Sequence, residues 1–178
     1  MVSTDASAVD AAPPVVAGVE LAAVTAGLKA SGRPDLALVR LAPGSHTAAV
    51  FTRNAFRAAP VQVAQAHLGH TEPRVLLINS GCANAGTGAA GVADAEATCA
   101  HAAGACGVEP AAVLPFSTGV IGERLGDRLP MERLAGAIEH CAGQLQPGGW
   151  DEAAEAILTT DTCPKRAQRT VSLSGGPV

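Results

Sequence analysis

Residues 74–79 (RVLLIN) run straight into a nine-residue stretch, 80–88 (SGCANAGTG), and residues 89–105 then continue almost wholly in helix formers. Four consecutive apolar side chains, Val75 to Ile78, closed by Asn79 and Ser80, predict a buried strand. The small and polar residues that follow predict a loop with room for something beside it, and 89–105 predicts a helix stopped at Gly107. Strand, glycine-rich loop and helix in that order raise the question of a phosphate-binding loop. The answer is negative, because there is no GK[ST], no GxGxxG, and Gly81, Gly86, Gly88 and Gly91 fall in neither register.

A second junction of the same kind lies at 114–122 (LPFSTGVIG), where an apolar run meets Ser117-Thr118-Gly119. Its composition predicts a turn, with two hydroxyls and a glycine that lets the backbone approach closely and aim N–H groups into a cavity. Around these two junctions the remaining elements are shorter. Residues 35–41 (DLALVRL) and 48–52 (AAVFT) predict a hairpin across Pro43-Gly44-Ser45, and Pro60 is expected to delay a helix to 65–68. Met131, Leu134, Ile138, Cys141 and Leu145 recur at helical spacing behind Pro130, ending before Pro147. Asp151 is expected to cap a further helix with Ala154, Ile157 and Leu158 inward, which delivers Thr159, Thr160, Asp161 and Thr162 in a row ahead of Cys163-Pro164. Residues 169–173 (RTVSL) predict a strand and 174–176 a hairpin turn whose partner strand has barely begun at Val178, so further polypeptide is expected to complete the fold. Residues 1–14, rich in Ser, Ala, Asp and Pro, predict a flexible lead-in to an ordered region over 15–178.

Composition narrows the function classes. With 178 residues, 48% hydrophobic but only 2% aromatic, a core is expected from Ala, Val and Leu, with Phe51, Phe56, Phe116 and Trp150 as its rare large pieces. Twelve basic against sixteen acidic residues, no basic cluster and few rings for base stacking argue against nucleic acid. The longest uncharged run, 75–93, is interrupted by Asn, Ser, Thr and glycines, which argues against a membrane span; acidic residues near the N-terminus argue against a signal peptide and for the cytoplasm. Cys82, Cys99, Cys106, Cys141 and Cys163 form no CxxC pair and are read as small buried thiols, and His67 and His70 as surface residues; no metal or cofactor is expected.

Seven segments in order then resemble one family. They are 27–32 (GLKASG), 49–54 (AVFTRN), 58–61 (AAPV), 79–88 (NSGCANAGTG), 117–122 (STGVIG), 129–131 (LPM) and 156–165 (AILTTDTCPK). Together they resemble the ornithine acetyltransferases, the bifunctional glutamate N-acetyltransferases of arginine biosynthesis. The resemblance implies an α+β fold of layered sheets flanked by helices. It also implies that this is the α chain of a self-cleaving enzyme, completed by a β chain whose N-terminal threonine is the nucleophile, in a heterotetramer of two α and two β chains. That threonine would take the acetyl group of N-acetylornithine and pass it to glutamate, and some members also use acetyl-CoA. Carried over by position, the Thr118 hydroxyl and Gly119 N–H become the oxyanion pair and Thr159 a substrate contact. Asn79, Asn84 and Thr87 are weaker candidates for shaping the pocket.

Two departures accompany the match: Gly86 stands where the family usually has Cys, and the family's lysine segment and Ala-Thr cleavage point do not occur before Val178. Two other functions keep the same residues, an amidase or acyltransferase for a different amino acid and a non-catalytic small-molecule binding chain. The acceptor, glutamate or water, separates the first from the acetyltransferase. Ligand-induced stabilisation of the isolated chain would single out the second.

Overall fold

The computed structural model describes residues 15–168, 172–173 and 176–177. Its centre is a four-stranded mixed sheet in the order β1 (Val19–Val24), β2 (Leu36–Leu41), β3 (Val75–Cys82), β4 (Val113–Val120). β1, β2 and β3 pair antiparallel, and β3 pairs β4 in parallel. The parallel pair needs a crossover, and α2 (Gly88–Cys106) supplies it. α1 (Ala59–Leu68) precedes β3, while α3 (Leu125–Arg128), α4 (Met131–Ala142) and α5 (Trp150–Ala156) follow β4. A two-residue ladder, β5 (Ser172–Leu173) with β6 (Gly176–Pro177), lies apart from this sheet. The architecture is mixed α and β, with the main sheet as the layer that organises it.

Strand register sorts the side chains between two faces. Ala22, Leu38, Leu77 and Pro115 form a row on one face, where the core also takes Val63 of α1, Cys99 and Ala102 of α2, and Leu134 and Ile138 of α4. These helices are rich in small side chains, so they approach the sheet closely and bury Cys99, Ala102, Ile138 and Cys141 completely. The opposite face carries the row Ala23, Ala37, Ile78 and Phe116. α5 covers it over β1 and β2, where Ala153 and Ala156 pack with Leu21, Ala37 and Val39. Two bonds between Leu21 and Gln146, at 2.9 and 3.1 Å, pin the segment leading into α5 onto β1. Cover then thins toward β4: Ala37 is fully buried, Ile78 half-buried, and Phe116 is 44% exposed.

Several sequence expectations are corrected. The 35–41/48–52 hairpin does not form: β2 lies between β1 and β3, and 48–52 is irregular with Val50 fully exposed. Two longer apolar strands outcompete a short local partner for β2. α1 begins at Ala59, because Pro60 sits in the first turn, where its missing N–H costs nothing. The strand predicted to end at Asn79 continues to Cys82, and Ser117-Thr118-Gly119 is strand and not turn, each end being the other's partner in the parallel ladder. α2 ends as expected at Gly107, which adopts φ 68° and donates its N–H to the Ala103 carbonyl.

α5 is capped by the Gly149 backbone without help from Asp151, and its buried residues are Ala153 and Ala156; Leu158 is buried beyond it and Ile157 faces solvent. The aromatic residues are not core pieces: Phe56 is 73% exposed and Trp150 only packs against the edge of the smaller cluster. Four thiols are buried or half-buried and Cys163 is exposed. His67 is half-buried, with Nδ1 2.7 Å from the Val113 carbonyl; a carbonyl only accepts, so Nδ1 carries the proton. The lead-in over 1–14 and the turn at 174–175 lie outside the described residues, and of the 169–173 strand Ser172 and Leu173 are described, paired in β5. Among the described residues no helix is long and apolar enough to cross a membrane.

Candidate active site

The C-terminal ends of β3 and β4 lie side by side with Ser80 opposite Thr118 and Gly81 opposite Gly119. Thr118 and Gly119 are exposed at this end, on the outermost strand of the sheet. Gly119 has φ 133°, and a Cβ placed there would lie 2.4 Å from the Gly81 carbonyl carbon and 2.7 Å from the Cys82 nitrogen. Both obstacles are backbone, so only glycine fits. The two expected oxyanion residues are therefore held on a ladder, which is stiffer than a free turn.

The neighbouring polar side chains are occupied in building this end. Ser117 donates to the Asn79 Oδ1 at 2.6 Å, and Asn79 donates to the Cys82 carbonyl at 2.8 Å. Asn84, fully buried with φ 46°, donates to the Gly91 carbonyl at 2.8 Å and accepts from the Thr87 hydroxyl at 3.0 Å. Asn79, Asn84 and Thr87 thus fix the chain from β3 into α2. Apolar side chains border the site: Val120 is 47% and Ile121 is 72% exposed.

Thr159 lies three residues beyond the end of α5. Leu158 is buried and Thr159 to Thr162 are exposed, so the row of hydroxyls emerges just past the last anchored residue. The anchor is the Ala156 carbonyl, which accepts from the Ser80 hydroxyl and from Lys29 Nζ at 3.0 Å. Ser80 is the cross-strand neighbour of Thr118, so the sheet and α5 converge on one spot.

Three features went unread in the sequence. Asp35, completely buried, accepts the N–H groups of Ala26, Gly27 and Lys29 at 2.6, 3.1 and 2.8 Å and so folds the 26–32 loop over β3. Its signal is a lone carboxylate opening an apolar strand. Lys29 is the second, and burial, the largest influence, lowers its pKa from the ordinary lysine value while Asp35 works in the other direction. The third is the bidentate pair of Arg124 with Asp94, at 3.1 and 2.7 Å, joined by the Gly126 N–H at 3.1 Å, which fastens the chain after β4 to α2. The Asp94 bond raises the Arg124 pKa above its ordinary value. An open hollow of about 520 Å³ beside this region is lined by Gly27, Leu28, Ala30, Glu123, Asp127 and Arg128. Among the described residues no three His, Cys, Asp or Glu side chains are grouped to hold a metal ion.

The profile of the ArgJ family matches residues 20–178. The chain belongs to the ArgJ family. Among relatives, the arginine biosynthesis bifunctional protein ArgJ of Methylococcus capsulatus is 49% identical over 163 residues, 92% of this chain and 39% of that protein. The ArgJ protein of Neisseria meningitidis serogroup A is 49% identical over 157 residues, 88% of this chain and 37% of that one. The chain thus spans about two fifths of the length of these curated ArgJ proteins. In solved structures, it matches ornithine acetyltransferase complexed with ornithine from Mycobacterium tuberculosis with a TM-score of 0.76 at 42% identity, covering 85% of this chain and 79% of that chain. ArgJ of Bacillus halodurans matches with a TM-score of 0.76 at 32% identity, over 91% and 83%.

Proposed function

We propose that this ArgJ chain supplies the charge-stabilising half of an acetyltransferase that moves acetyl from N-acetylornithine to glutamate. In this reading the Thr118 hydroxyl and the Gly119 N–H receive the negative charge that develops on the acetyl oxygen, and Thr159 contacts the substrate. The attacking group is an N-terminal threonine on a partner β chain, and the acetyl-threonine it forms splits one difficult transfer into two easier ones. Acetyl-CoA as a further donor and a heterotetramer of two α and two β chains belong to the same reading, on the resemblance alone.

The observation that carries the proposal is the steric one at Gly119. A backbone that admits no side chain, next to an exposed hydroxyl at the open end of a parallel pair, is what a rigid two-donor site requires. Completion by further polypeptide is supported by the sheet: among the described residues β4 has no neighbour on its outer side, and Phe116 is left uncovered on the face that α5 only half spans. An edge and an apolar face left together invite a second layer.

The test is Thr118→Ala in the full polypeptide that carries this chain. Acetyl transfer to glutamate is expected to fall on the order of 100- to 1,000-fold while ornithine still binds. Unchanged turnover would remove Thr118 from the chemistry. Acetate release in place of acetylglutamate would reassign the enzyme as an amidase.

A further inference from the structure

The end of α5 is held by two donors that are remote from it in sequence. The Ala156 carbonyl accepts from the Ser80 hydroxyl and, at 3.0 Å, from Lys29 Nζ, whose other partner is the Pro34 carbonyl at 2.9 Å. Lys29 thus spends its charge on two backbone carbonyls. Such an arrangement is favourable at a helix C-terminus, where the last carbonyls carry partial negative charge.

Both donors are themselves well placed. The Lys29 N–H is bonded to buried Asp35 at 2.8 Å, and its stem lies against β3: a Cβ on Gly81 would lie 3.3 Å from Lys29 Cγ and 3.0 Å from the Leu28 carbonyl oxygen. Ser80 is completely buried and faces Thr118 across the ladder. Neighbouring strands lie about 4.8 Å apart. Thr159 lies three residues beyond Ala156, and three residues reach at most about 11 Å. Fixing the Ala156 carbonyl on Ser80 therefore fixes Thr159 within a short span of Thr118.

We infer that Lys29 and Ser80 are positioning residues: together they clasp the Ala156 carbonyl and set the distance between the Thr159 contact and the Thr118–Gly119 pair. The functional part of this inference rests on the proposed role of Thr159. Lysine suits the task because one ammonium bridges Pro34, which begins the turn into β2, and Ala156, which ends α5. A serine at 80 reaches the same carbonyl from the opposite element without adding a side chain that would crowd Thr118.

Amide hydrogen exchange and steady-state kinetics on the full polypeptide test it together. The Ile157 and Leu158 amides, bonded to the Ala153 and Glu155 carbonyls, are the reporters. Lys29→Met and Ser80→Ala are each expected to speed their exchange about tenfold, with β1 and β2 unchanged and Lys29→Arg retaining protection. Unchanged exchange in both variants would overturn the clasp.

For kinetics, Lys29→Met is expected to raise KM for N-acetylornithine about tenfold with little change in kcat, and to add nothing on top of Thr159→Ala. Independent, fully additive effects would overturn the link from the clasp to Thr159. If Thr159→Ala alone leaves KM unchanged, the substrate role of Thr159 fails, and the exchange result still decides the clasp.

Discussion

One pair of strands, β3 and β4, has two unlike ends. At the N-terminal end Val75, Leu77 and Val113 are buried beneath α1 and α2, and the ladder serves packing. At the C-terminal end the same ladder carries Asn79, Ser80, Gly81 and, opposite them, Ser117, Thr118 and Gly119, with Thr118 and Gly119 open to solvent. The backbone pairing is continuous through both. The difference teaches that the proposed site is placed by the core: the apolar end fixes the register, and the polar end inherits a geometry that its own small side chains would not hold.

The largest effect expected from breaking this contrast is at Gly119. Gly119→Ala would thrust a Cβ to 2.4 Å from the Gly81 carbonyl carbon, so β4 must shift away from β3 at the polar end. Acetyl transfer is expected to fall on the order of 1,000-fold, measured as kcat on the full polypeptide, with a stability loss of about 1–3 kcal/mol. Gly107 is the control, since it also has positive φ, at 68°, but a Cβ there meets nothing within 4 Å. Gly107→Ala is expected to cost about 1 kcal/mol and to leave turnover unchanged. Equal activity in the two variants would show that close approach at Gly119 does not serve catalysis.

The converse break is at the packing end. Ile138 of α4 is completely buried in the larger core cluster. Ile138→Ala is expected to cost about 2–5 kcal/mol in denaturant unfolding, with kcat per folded molecule unchanged. A large loss of kcat at full folding would mean the two ends are coupled more tightly than a shared ladder implies.

The same contrast explains what was legible in the sequence. The packing end was readable because Val75 to Ile78 and the Leu134, Ile138, Cys141 spacing carry their periodicity locally. The loop expected over 83–87 is there, but the polar end was misread as loop at 80–82 and as a turn at 117–119, because Gly, Ser and Asn are local turn signals. Only pairing between segments about forty residues apart makes them strand. The expected 35–41/48–52 hairpin failed for the same reason, since β2 lies between two partners, one of them remote in sequence. The roles proposed for Thr118, Gly119 and Thr159 come from the family resemblance. Lys29 stood in a matching segment without a role and Asp35 showed only as a lone carboxylate opening an apolar strand, because their roles depend on loop N–H groups folded onto Asp35 and on a carbonyl 127 residues from Lys29.

The smallest expected effect probes the packing layer by pH. Burial raises the thiols of Cys99 and Cys141 from 9.0 to about 12, and both belong to the larger cluster beneath the sheet. A folded pKa above the unfolded one means that the unfolded chain loses these protons first. Their stabilisation is therefore complete below pH 9 and is lost progressively as pH rises toward 12. At pH 10 each thiol is expected to weaken folding by on the order of 1 kcal/mol relative to pH 8. Denaturant midpoints taken at pH 8, 9 and 10 should fall more steeply for the native sequence than for the Cys99→Ala/Cys141→Ala variant, in which a cavity penalty lowers all three midpoints alike. Parallel pH curves would mean that these thiols ionise in the folded protein as readily as in the unfolded chain, and that the layer holding the polar end in register is wetter than its packing indicates.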